Sequence, residues 1–154
     1  MNQRSAFAIG LATIAVGTLD ALDAIIFFGL RGATPVRIFQ SIASGLLGRD
    51  AFQGDNRTAW IGVGLHYLIA FLIVLVFYMI SRRMRFLTAQ PVVAGVLYGI
   101  VAYGVMNYVV VPMSAAVQGP FSLPVFANGI LIHMFGVGLP TALIVRQAGD
   151  RSTR

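Results

Sequence analysis

Residues Thr58–Ile80 read TAWIGVGLHYLIAFLIVLVFYMI, a run with no Asp, Glu, Lys or Arg and one imidazole, His66. Roughly 20 helical residues cross the ~30 Å hydrocarbon core of a bilayer, so this run is long enough to span it. A helix apolar on every side has no face to offer water. Three other stretches share that character: Ser5–Leu30, Pro91–Pro112 and Val125–Val145. Pro91 suits the first helical turn, where its missing N–H costs nothing. Composition agrees. Hydrophobic residues make up 58% and charged residues 10%, with mean hydropathy +0.84, against about 45–50% and about 25% for soluble domains. That excludes an ordinary soluble domain and a disordered chain. With no Cys, a disulfide scaffold and a thiolate metal site are excluded too. The fold class expected is an all-α polytopic membrane protein, residues 1–154 forming a single transmembrane domain.

The charges orient the expected bundle. Every basic residue is Arg and every acidic one is Asp. A pI near 10.8 would suit nucleic acid, yet the arginines punctuate the ends of apolar runs, where headgroups lie. Nucleic acid is therefore not an expected partner; the lipid bilayer is. Arg4, Arg82, Arg83, Arg85, Arg146, Arg151 and Arg154 fall on one side, and Arg31, Arg37, Arg49 and Arg57 on the other, in a long connection. The positive-inside rule then puts both termini in the cytoplasm. The opening Met-Asn-Gln-Arg reads as the start of a retained helix. Its apolar run is too long for a signal peptide and no small-x-small site closes it.

Between the first two spans, Thr34 suits an N-cap, Pro35 the first helical position and Gly48 the position past the end. The spacing predicts a helix over 35–47, with Val36, Phe39, Ile42, Ala43 and Leu46 on one stripe and Arg37, Gln40, Ser41 and Ser44 facing elsewhere. Too short to span, it reads as an amphipathic helix at the outer interface, a cover or lid over the bundle.

Five strongly polar side chains fall inside the spans: Asp20, Asp23, His66, Asn107 and His133. From the ~1.5 Å rise per residue, all lie ~3–8 Å to the outer side of their span's midpoint, with Asn128 higher at a mouth. Asp20 and Asp23 share a face with Thr13 and Gly17 by spacing. An Asp near a helix centre costs ~2.5–3.5 kcal/mol unless paired or protonated. The expectation is that Asp20 or Asp23 meets His66 or His133, with Asp23–His66 the first candidate, and that the layer holds one or two exchangeable protons. A network that only fixes helix register is the plainer alternative. Small residues Ala94, Gly95, Gly99 and Ala102 form a ridge that another helix could fill. Gly62–His66 and Gly129–His133 repeat one short pattern, which hints at related halves.

Other chemistry is thin. Asp20, Asp23, His66 and His133 make an acceptable set for Zn, Mn or Fe, and His66 with His133 could ligate a haem axially. Neither has a local motif, so no resident cofactor is expected. No phosphate loop, GxSxG elbow or HExxH is present, and no residue reads as catalytic. The stretches GTLDALDAIIFFGLRG, TPVRIFQSIASGLLG and HMFGVGLPTAL resemble an uncharacterised family of small four-helix bacterial inner-membrane proteins. That resemblance implies the architecture alone, since the family carries no established activity. Two functional classes follow: a non-enzymatic accessory or structural membrane component, in a homo-oligomer or larger membrane complex, and a handler of protons or cations through the Asp/His layer.

Overall fold

A computed structural model describes residues 3–150. Arg151 and Arg154, counted above for orientation, lie outside them. Within them the chain is helical, without strands. Four helices are long and apolar enough to cross a membrane: α1 (Gln3–Gly29), α3 (Asp55–Ser81), α4 (Pro91–Met113) and α5 (Leu123–Gln147). Their ends fall within a few residues of the sequence expectation. Between α1 and α3 lies α2 (Pro35–Leu47), with the expected bounds. Thr34 caps it by accepting a hydrogen bond from the Arg37 amide, and Gly48 ends it at a φ of 59°, a conformation glycine adopts without strain. Two short elements went unexpected, a 3-10 turn over Gly48–Gln53 and a single helical turn over Phe86–Ala89.

Small residues decide which helices touch. α1 packs on α3 and α5, and α5 packs on α4, whereas the α3 and α4 backbones are not close neighbours. The α1–α3 contact is antiparallel. Val16 and Ala12 meet Ala70 and Val74 in a buried cluster with Ile9 and Val137. At Gly17 a Cβ would sit 2.7 Å from the Tyr67 ring, so a larger residue there would have to displace that ring. The predicted ridge on α4 is filled from within the chain. Gly95 lies against Gly138 and Leu139 of α5, and Gly99 against the backbone of His133 and Met134. It is therefore not free to receive a partner helix, because α5 already uses it for the close backbone approach that small residues permit.

At the end of the bundle opposite α2, Phe77 is fully buried beside Ala142 and Val145. Its ring meets Tyr98 at 4.9 Å, and the Tyr98 hydroxyl donates to the Ile73 carbonyl at 2.6 Å. These side chains join α3 to α4 at that level. Toward α2 the two helices part.

α2 differs from expectation in one respect, its packing face. Gln40 and Ser44 are buried with Ile38 and Ala43, while Val36 and Leu46 are exposed. The polar pair is buried because each makes a specific bond. The Gln40 amide donates to the Asp55 carbonyl at 2.9 Å, and the Ser44 hydroxyl accepts from the Val117 amide at 3.2 Å. Hydrophobic spacing alone finds the helix but not the face, since a satisfied polar group can be buried at little cost. Gly62 of α3 completes the contact, lying where the Phe39 backbone crosses.

Candidate functional site

The gap between α3 and α4 is a cavity of about 830 Å³, roofed by α2 and the segment from Ser114 to Ser122. Ser41, Ile42, Gly45 and Leu46 of α2 line the roof. The Ala115 amide donates to the Gly45 carbonyl at 3.0 Å, stitching the two roof pieces together. Asp20, His66, Asn107 and His133 all reach the cavity wall, from four different helices; Asp23 does not.

His66 is buried between Phe39 and Tyr67. Its Nε2 lies 2.7 Å from the Gly17 carbonyl. A carbonyl can only accept, so Nε2 carries the hydrogen. Nδ1 is then the basic nitrogen, and it faces Asp20 Oδ2 at 3.9 Å. His133 is held in the same manner by its own helix. Nδ1 donates to the Gly129 carbonyl at 2.9 Å, which leaves Nε2 as its basic nitrogen, and Tyr103 stacks edge-on at 5.3 Å. The Asn107 amide donates to the Tyr103 carbonyl at 3.0 Å.

Thus the anticipated Asp–His contact exists, but between Asp20 and His66 and not between Asp23 and His66. Residues three apart on a helix point about 60° from one another, enough to face different neighbours. Asp20 follows Gly17 onto α3, whereas Asp23 turns to α5 and accepts from the Asn128 amide at 2.6 Å. The polar layer is two sites, a lower one on the cavity and an upper clasp between α1 and α5.

The metal set does not assemble. Among the described residues, no three His, Cys, Asp or Glu side chains converge as ligands. A haem bridge fits poorly as well, because both nitrogens of His66 are turned toward α1. The glycines preceding the two histidines also do different work. Gly62 admits the α2 backbone and Gly129 the Tyr103 ring, so the short repeat does not mark equivalent sites.

Sequence reasoning missed two breaks in helical geometry. Met106–Val110 and His133–Gly138 are π-turns, and they carry Asn107 and His133. In each, the residue before a proline makes the wide bond: the Val111 amide to the Met106 carbonyl, and the Leu139 amide to the Met134 carbonyl. A proline ring presses on the carbonyl four residues earlier and supplies no N–H. Widening the preceding turn relieves that pressure, and such turns recur at functional sites. Pro112 and Pro140, each shortly after a polar intramembrane candidate, were the available signal. Compared with known proteins, the chain matches no family model, no curated protein and no solved structure.

Proposed function

We propose that this chain is a non-enzymatic integral protein of a bacterial inner membrane that binds and releases a proton at Asp20 and His66, with both termini cytoplasmic. Four apolar helices are compatible with a membrane protein, and the arginine distribution supports the orientation. One observation carries the proton site. His66 has its Nε2 hydrogen committed to Gly17, so a basic nitrogen and a carboxylate oxygen face each other at 3.9 Å beside a cavity. Two lone pairs so placed repel, and a single proton, on either atom, converts the repulsion into attraction. Burial strengthens that preference because little solvent screens it.

The competing reading, an accessory component whose layer only fixes register, draws support from the Asp23–Asn128 bond, which ties α1 to α5 away from the cavity. It accounts for Asp23 and leaves Asp20 unexplained. Register contacts fill space between helices, and Asp20 instead borders a void.

Potentiometric titration of the purified protein separates the two. The wild type should take up about one proton per chain more than Asp20→Asn across the neutral range. Asp23→Asn should titrate like the wild type. Superimposable curves for the wild type and Asp20→Asn would overturn the reading.

A further inference from the structure

Resting on the proton site just described, we propose that the cavity takes a monovalent organic cation with a bulky apolar body, exchanged one for one against the proton held by Asp20 and His66. Size comes first. At about 830 Å³ the cavity falls in the range of small-molecule sites, which hold ~300–1,000 Å³, while a water fills only ~30 Å³. A proton site needs no such room.

Charge comes next. Among the described residues, Asp20 is the one carboxylate on the wall, and no Arg lines it. α1 contributes Asp20, α3 His66 and α5 His133; α4 offers only the neutral Asn107, and the roof only neutral groups such as Ser41 and Gln118. An anion would find no fixed countercharge. A bare divalent metal ion would need several charged or imidazole ligands, and among the described residues no three His, Cys, Asp or Glu side chains converge. An organic cation needs one countercharge and an apolar wall for the rest of its surface. Ile69, Ile73, Val110 and Val137 supply that wall.

The exchange balances. With the cavity empty, one proton sits between Asp20 Oδ2 and His66 Nδ1. When the cation enters, the carboxylate becomes its counterion and the proton leaves to water; one O–H or N–H bond breaks and none forms within the protein. The net charge of the site is unchanged, so the bilayer's penalty on buried charge is not raised. Affinity must then rise about tenfold per pH unit wherever the empty site is protonated, by linkage.

Equilibrium dialysis of the full chain in detergent, referenced to protein-free micelles, tests this with tetraphenylphosphonium and its near-isosteric anion tetraphenylborate. The expected result is saturable binding of the cation alone, release of about one proton per cation, and the tenfold pH slope. Asp20→Asn should abolish binding and Asp23→Asn should keep it. Should Asp20→Asn fail to fold, the slope and the proton count of the wild type decide by themselves. Equal binding of both ions, or cation binding without pH dependence, overturns the inference. So does an intact proton titration with no cation binding, which would leave the proton site standing; loss of the titration itself would take the earlier reading down as well.

Discussion

A glycine carbonyl holds each histidine by one nitrogen, Gly17 for His66 and Gly129 for His133. Backbone, not another side chain, therefore chooses which nitrogen remains basic. The His66 bond joins two helices, where a hydrogen bond contributes only ~0.6 kcal/mol on average, so its value lies in orientation. The glycine at the next level of the site is tested by a paired substitution on α4. A Cβ at Gly99 would collide with the His133 carbonyl, whereas at Gly104 nothing lies within 4 Å. Alanine improves helix propensity by about 1 kcal/mol, and overpacking costs about 1–3 kcal/mol. Thermal unfolding in detergent should show Gly104→Ala unchanged or more stable and Gly99→Ala less stable than Gly104→Ala by about 1–3 kcal/mol. Equal stability in the two variants would mean that α4 and α5 are not in contact at His133.

At the scale of elements, the bounds of α2 were legible because Thr34, Pro35 and Gly48 each satisfy a local requirement of the chain. Its buried face was not. Gln40 and Ser44 bond groups far along the chain, Asp55 and Val117, which local spacing cannot announce. The same holds for Asp20 and Asp23. Their shared face could be read, but choosing between them needs the α1–α3 register, which Gly17 and Tyr67 set through tertiary contact. The π-turns were half legible, through Pro112 and Pro140. If α2 and the segment after α4 form a lid, joining them should slow traffic into the cavity. A Cβ at Gly45 would sit 3.9 Å from that of Ser114, inside the ~3.5–4.5 Å that a disulfide requires. The chain has no cysteine of its own, so Gly45→Cys with Ser114→Cys gives one defined bridge. Oxidation should slow tetraphenylphosphonium entry at least several-fold and reduction should restore it. Equal rates in both states would place the entrance between α3 and α4 instead.

Across the whole molecule, the neighbour order α3, α1, α5, α4 leaves one seam unpacked toward α2, and that seam is the cavity. Composition announced four apolar helices, but no periodicity says which pair will stand apart. The outward face supports a lipid setting: Phe7, Ile14, Leu30 and Trp60 are more than half exposed, and in water such a surface would aggregate. The proposed function requires that this cavity lie within a bilayer, closed on the outer side by α2. Single-cysteine labelling of the cysteine-free chain addresses it most directly, with a membrane-impermeant maleimide on intact spheroplasts. Asp50→Cys, exposed just beyond α2, should react at once, and Ala89→Cys, exposed between α3 and α4, only after permeabilisation. Labelling of both positions from the same side, or the reverse order, would contradict that placement.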